Sequence, residues 1–273
     1  MNDFRPLQLK ILEIVKYFDD YCKENSITYF LMGGSALGAI RHKGFIPWDD
    51  DFDVFMDAQN YNKFIRLSRL NFDKDRFHVQ IQQSKEWPMF FSKIRMNNTT
   101  FIEEDSKDLR YFHQGIYIDI MCFHNASNCL LIRLLQYFSA KLLTINSIPK
   151  TGYKTNSFFK KTLFILTKPI NIKFIEKILF RIVTSSKNKD TKYIAHWFGR
   201  ARYKNCIYER SLFQNQLFVD FENLQLPVME HYHKYLCVRY GDKYMNLPSE
   251  KEKMKYKSHA YIWDVDKNYK DYY

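Results

Sequence analysis

The sequence predicts an α+β fold in which a mixed sheet flanked by helices is followed by a mostly helical, strongly basic part. Three observations predict it. Strand-like and helix-spaced apolar patterns alternate over about the first 127 of the 273 residues. Glycine, scarce at eight in all, places Gly33, Gly34, Gly38 and Gly44 within twelve residues, at the junction of a strand pattern and a helix pattern. From about residue 128 onward, apolar patches such as 163–166 and 178–180 sit among lysines, with polar breaks at 148–157 and 185–191.

Taken in order, Leu7, Ile11, Ile14, Phe18 and Tyr21 recur at helical spacing, with Val15 and Cys22 widening the stripe, so a helix is expected over about 6–25. A strand follows at 28–32, then a glycine turn opening a short helix from Ser35 to about Ile40, and a loop through Gly44 and Pro47. Further strands are expected near 52–56, 77–82, 90–95, 100–103 and 116–121, with a helix at 58–70 between the first two. The division expected is a core at 1–127, a basic amphipathic helical region at 128–192, and a helical part at 193–273 packing back on the core.

Hydrophobic residues at 46% and aromatics at 18% exclude a disordered chain, and the length suffices for a core without staples. Five cysteines without a CxxC pair suggest neither a disulfide framework nor a zinc knuckle, and so a reducing cytosol. The N-terminal segment lacks the basic and then unbroken apolar pattern of a secretory signal, and no apolar run is long enough for a membrane span. The cytoplasm is the expected compartment.

The formal charge of +12 points to an anionic partner such as a nucleotide, a phosphopolymer or a membrane surface. That charge is concentrated: residues 133–192 hold thirteen Lys/Arg against Glu176 and Asp190, a surplus of eleven. Basic residues interleaved with Leu, Ile and Phe suggest peripheral contact with anionic lipid, or simply a solvated basic face. Nucleic acid is not expected, since the stretch matches no recognition fold.

The acids run the other way. Asp49, Asp50, Asp51, Asp53 and Asp57 put five carboxylates into nine residues. Strand alternation would turn Asp51, Asp53 and Asp49 to one face and Phe52, Val54 and Met56 to the other. Carboxylates so aligned call for a hard cation such as Mg²⁺ or Mn²⁺, which usually bridges carboxylates to substrate phosphates. Upstream, Gly33-Gly34-Ser35 between strand and helix offers backbone N–H groups to a phosphate. Downstream, Asp119 is the lone acid in an apolar strand, where an unpaired carboxylate is costly and needs a metal or cation.

These residues carry a resemblance. Residues 29–56, YFLMGGSALGAIRHKGFIPWDDDFDVFM, resemble the signature of the LicD family, the phosphocholine-transferase family related to fukutin within the nucleotidyltransferase-fold superfamily. The likeness extends through 91–103, 113–120 and 235–248, with a later His259, and covers roughly 5–125 and 215–260. Ser35-Ala36 and Met121-Cys122 depart from the commonest family pattern without removing a proposed ligand.

The resemblance implies a nucleotidyltransferase-like fold in which Gly33, Gly34 and Ser35 cradle phosphate. Asp51 and Asp53 then hold metal, with Asp119 as third acid and Asp49 as a ligand or just behind the ligands. Lys93 and Arg95, alternating on one strand, would neutralise a diphosphate, with Arg41, His113 and His259 as weaker candidates. It implies transfer of phosphocholine, or a related phospho-alcohol, from CDP-choline or another CDP-alcohol to a hydroxyl of a glycan or lipid-linked glycan acceptor. The expected acceptors are lipopolysaccharide, teichoic acid or capsule precursors.

Rival readings are weaker on the residues. A sugar-nucleotide glycosyltransferase with a DxD metal motif leaves the Gly-Gly-Ser turn unexplained. In an aspartyl-phosphate phosphatase the acids would close a buried strand, whereas here Pro47-Trp48-Asp49-Asp50 precede them. An EF-hand loop requires glycine where Val54 stands. A non-enzymatic basic membrane-surface module accounts for the middle segment alone.

Overall fold

The computed structural model describes residues 4–253, 256 and 258–273. Helix α1 (Arg5–Glu24) begins with proline in its first turn, where a missing N–H costs nothing, and buries Leu7, Ile11, Ile14, Val15 and Phe18. Strand β1 (Phe30–Leu31) leads directly into α2 (Gly33–His42), which ends on Lys43 in the left-handed region at φ 54°. Strand β2 (Asp53–Met56) is followed by α3 (Ala58–Asn71), capped by the Asp57 side chain accepting from Asn60 N–H. Then come β3 (Phe77–Gln80), β4 (Ser92–Met96), β5 (Thr100–Glu103), β6 (Tyr117–Cys122) and β7 (His124–Ala126).

The central sheet runs β1-β2-β6-β4-β3, with β2 and β6 parallel and the other neighbours antiparallel. Its register fixes the chemistry to come. Asp53 on β2 stands opposite Asp119 on β6, and Asp119 stands opposite Lys93 on β4. A single row across three strands therefore carries two acids and a lysine. The α+β class is as expected, and the strand at 100–103 falls where the sequence placed it.

Helices α4 (Leu130–Ser147), α5 (Phe158–Leu166) and α6 (Lys173–Val183) follow; the expected break at 148–157 separates α4 from α5 and that at 185–191 follows α6, while an unexpected turn around Pro169 separates α5 from α6. They are not self-contained. Ala140, Leu143, Ile170 and Val183 share a second apolar core with Phe90, Ala126, Trp197 and Phe198. No helix among the described residues is long and apolar enough to cross a membrane.

The part expected to be helical, 193–273, departs from expectation. It holds β8 (Tyr193–Ala195), β9 (Ile207–Glu209), β10 (Gln216–Phe221), β11 (Leu224–Met229) and β12 (Ala260–Asp264), with helices α7 (Tyr232–Tyr240) and α8 (Glu250–Lys253) among them. Three-residue strands show no period, so β8 and β9 escape a pattern reading. The β10–β11 hairpin closes on Glu222, whose carboxylate takes two hydrogen bonds from Arg5 on α1 and one from Phe45 N–H. Strand β12 pairs with β5, bringing the chain end back beside the central sheet.

Candidate active site

The glycine turn serves the acids beside it. Gly33 adopts φ +53°, and its N–H donates to Tyr235 Oη at 2.9 Å, so that donor is already engaged. A Cβ on Gly34 would collide with the Asp49 carboxylate, so glycine here lets that side chain lie against the start of α2. Ser35 Oγ accepts from Asp53 N–H at 2.8 Å and pins the first residue of β2. The loop ahead of β2 is held from the other side, where Gln8 Nε2 donates to the carbonyls of Ile46 and Asp49.

Beyond the acids lies a cavity of about 820 Å³, in the size range of small-molecule sites. Asp51, Asp53 and Asp119 line it together with Lys93 and His259. Asp49 lies behind, sharing a hydrogen bond with Asp51. Gly33, Gly34 and Ser35 do not reach the wall, although Met32 next to them does.

Crowded carboxylates raise one another's pKa. Desolvation and then Asp51 and Asp119 push the Asp53 carboxyl well above its usual range, and desolvation followed by Asp51 and Asp50 does the same to Asp49. Asp119 is pushed up to about 6, again first by burial, with Lys93 opposing. Its Oδ1 lies 3.3 Å from Lys93 Nζ, within ion-pair range, yet no aligned hydrogen-bond donor satisfies that buried oxygen.

This donor set suits a hard divalent cation: carboxylate oxygens only, mutually repelling, one of them unsatisfied. No three His, Cys, Asp or Glu side chains among the described residues already converge on one point as a closed metal cage. Mg²⁺ rarely needs one, since it is commonly held by one or two carboxylates with substrate phosphates and waters filling its shell.

Of Lys93, Arg95 and Arg41, Lys93 alone lines the cavity. It is 2% exposed, sits over the Tyr117 ring at 3.2 Å from its centroid, and pairs with Glu103 at 3.4 Å as well as with Asp119. Tyr117 Oη donates to the same Glu103 oxygen at 2.9 Å. Glu103 is held below its ordinary range despite burial, because Lys93 and Arg95 stabilise its charge.

Three other candidates are brought elsewhere. Arg95 shares the Tyr117 face with Lys93, but its guanidinium binds Gln80 Oε1 and the Gly115 carbonyl, outside the cavity. Arg41 donates to the carbonyls of Tyr244 and Asn246, clasping the C-terminal segment. His113 stacks on His78 and meets Asn97 Oδ1 at 3.0 Å, and burial drives its pKa down to about 2. All three are engaged by a carbonyl or amide oxygen of another segment, and none of them lines the cavity.

His259 is drawn in. Its Nδ1 lies 2.8 Å from Asp50 Oδ1 and 3.8 Å from Asp51 Oδ2, and the Asp50 hydrogen bond lifts its pKa to about 9. Asp50 also accepts from Ser258 Oγ and His259 N–H, both at 2.7 Å, which straps the segment before β12 to the acidic loop. The sequence reading singled out neither Asp50 as this anchor nor Glu103 and Tyr117. Tyr117 was within reach, since period two from Asp119 puts it on the same strand face. Arg239 and His196 also line the cavity. Arg239 keeps its guanidinium charge despite burial, whereas burial pushes His196 down to about 3 and leaves it neutral.

Asp53 and Asp119 on the central sheet, with Asp51 from the loop before β2, thus meet at the wall of one cavity. Residues 26–131 match the LicD/FKTN/FKRP nucleotidyltransferase domain. Over 253 residues it is 28% identical to the lipopolysaccharide cholinephosphotransferase LicD of Haemophilus influenzae, spanning 91% of this chain and 93% of that protein. It is 24% identical over 205 residues to mannosyltransferase regulator 4 of Saccharomyces cerevisiae, covering 71% of this chain and 17% of the yeast protein. An uncharacterised Rickettsia prowazekii protein matches at 39% over 46 residues.

Proposed function

We propose that the protein is a metal-dependent transferase that moves phosphocholine, or a related phospho-alcohol, from a CDP-alcohol to a hydroxyl of a cell-surface glycan precursor. The observation that carries this reading is the row Asp53, Asp119, Lys93 across three strands at the wall of one cavity. The choice of choline, and of a lipopolysaccharide-like acceptor, is supported by the name of the Haemophilus influenzae relative. The cytoplasm, where CDP-alcohols are made, is the compartment this reading assigns.

In the step proposed, the acceptor hydroxyl gives its proton to a carboxylate of the site such as Asp119, its oxygen bonds to the phosphorus bearing the alcohol, the bond from that phosphorus to the bridging oxygen breaks, and CMP leaves. Asp51 and Asp53 would hold Mg²⁺ or Mn²⁺, with Asp119 as third acid and Asp49 supporting from behind. When bound, the ion supplies charge neutralisation of the diphosphate and a template for in-line displacement. Lys93 and Arg239 add fixed positive charge at the same wall, worth most where water is excluded. Glu103 and Tyr117 orient Lys93, and Asp50 holds His259 beside Asp51.

The test is CMP release from CDP-choline and other CDP-alcohols with Mg²⁺, Mn²⁺ or EDTA and crude lipid-linked glycan acceptors, for the wild type and Asp51→Asn/Asp53→Asn. Metal-dependent release lost in the variant is the expected result. Turnover of a sugar nucleotide with no release from any CDP-alcohol would overturn the reading.

A further inference from the structure

We propose that helices α4, α5 and α6 form a docking surface for the face of an anionic phospholipid bilayer, an inference about a different part of the molecule from the transferase site. Of the 24 large apolar or aromatic side chains exposed among the described residues, 13 lie within 130–178. Apolar exposure is thus concentrated in the segment that carries the excess positive charge.

The exposure is ordered along the helices. On α4, Gln136, Ser139, Ala140 and Leu143 are buried, while Leu131, Leu135, Phe138 and Leu142, at spacings of four, three and four, are 71%, 58%, 59% and 42% exposed. On α6, Ile175, Leu179 and Phe180 pack inward, and Phe174, Lys177, Ile178 and Arg181 share the outward face. On α5, Phe158 and Phe159 are 85% and 71% exposed, with Lys160 and Lys161 following them. Eleven of the thirteen Lys/Arg in 133–192 are exposed.

Phenylalanine and leucine flanked by lysine is the chemistry of a helix lying in a membrane interface, apolar side in the acyl boundary and cations among phosphates. None of these helices is long and apolar enough to cross the bilayer, so the surface lies on it. A second copy of the chain fits less well, because a two-fold contact would press two such basic surfaces together. Helix α5 also borders the cavity, whose wall includes Lys160, Leu163 and Phe164. On the transferase reading, docking would bring the cavity beside lipids that carry an acceptor.

The experiment is flotation of the full chain with vesicles of phosphatidylcholine alone or of equimolar phosphatidylcholine and phosphatidylglycerol, at low and high salt, with gel filtration alongside. Binding to the anionic vesicles, weakened by salt, is expected. Neutralising Lys173 and Lys177 to Gln should reduce partitioning by about fivefold per charge. Leu135→Ser/Phe138→Ser should reduce it as well, with unchanged circular dichroism, as these side chains are exposed. Equal binding to both vesicle types, no effect of the apolar variant, or a dimer dissolved by that variant would each overturn the proposal. Vesicle binding is read without substrate, so its failure is distinct from failure of the transferase reading.

Discussion

Asp53 and Asp119 stand directly opposite each other on the parallel neighbours β2 and β6, and Lys93 on β4 is paired with Asp119 from the other side. Parallel neighbours β2 and β6 thus juxtapose two like charges that would otherwise avoid each other.

Asp53→Asn should therefore separate stability from activity. Removing one of the repelling carboxylates raises the melting temperature of the metal-free protein, while CMP release falls by about 10²–10³-fold, the usual loss for a deleted charge stabiliser. Calorimetry and the release assay on one preparation check both. A variant that melts lower than the wild type without metal would contradict the repulsion argument.

Stability should also fall with pH in the metal-free protein. Asp119 moves from an ordinary 3.8 up to about 6, and burial and neighbouring carboxylates move Asp53 and Asp49 upward as well. A carboxyl raised on folding gives its full stabilisation below its unfolded pKa and loses it as pH climbs through the folded one. For Asp119 that window is about pH 4 to 6, and Asp53 and Asp49 contribute in the same direction. His259, raised to about 9 by Asp50, loses stabilisation in the same direction above 6.5. The lowered groups Asp50 and Glu103 act below their usual ranges. Melting temperatures without metal should drop from pH 5 to pH 8, and Mg²⁺ or Mn²⁺ should raise them more at the higher pH.

Lys93→Met should cost about 3 kcal/mol at neutral pH, because it leaves buried acids unpaired. Both Asp119 and Glu103 depend on that ammonium. Adding Glu103→Gln should recover part of the loss. Urea unfolding of the single and double variants measures the coupling, and additive effects would show that Glu103 and Lys93 act independently.

Much of this was legible in the sequence, and the reasons for the rest are specific. The strand-turn-helix at 28–40 and the acids after Pro47 stand out because glycine and aspartate cluster in a chain poor in one and basic overall. Strand alternation assigned Asp51 and Asp53 to one face, yet β2 begins only at Asp53, and Asp51 reaches the cavity from the loop before it. Asp50 finds its partner 209 residues away in His259, and nothing local foretells that. Arg41 and His113 look like site residues until the carbonyls of Tyr244 and Asn246 and the amide of Asn97 are seen to engage them away from the cavity. The β10–β11 hairpin left a readable trace, two six-residue runs around Glu222-Asn223, whereas the three-residue β8 and β9 left none.

Gly34→Ala tests whether the glycine turn exists for the acids. Its N-terminal neighbour already gives its N–H to Tyr235, and Gly34 itself is where the Asp49 carboxylate rests against α2. A methyl group there must push Asp49 aside, and with it Asp51, to which Asp49 is hydrogen-bonded. Alanine favours helix over glycine by up to about 1 kcal/mol, so the fold should tolerate the change. Activity should not: a displacement of the order of 1 Å in a positioned group costs about 10²-fold. The expected outcome is a melting temperature near wild type with CMP release down about a hundredfold, and partial recovery when Asp49→Ala relieves the collision. If Gly34→Ala keeps full activity, the close approach of Asp49 has no part in positioning Asp51.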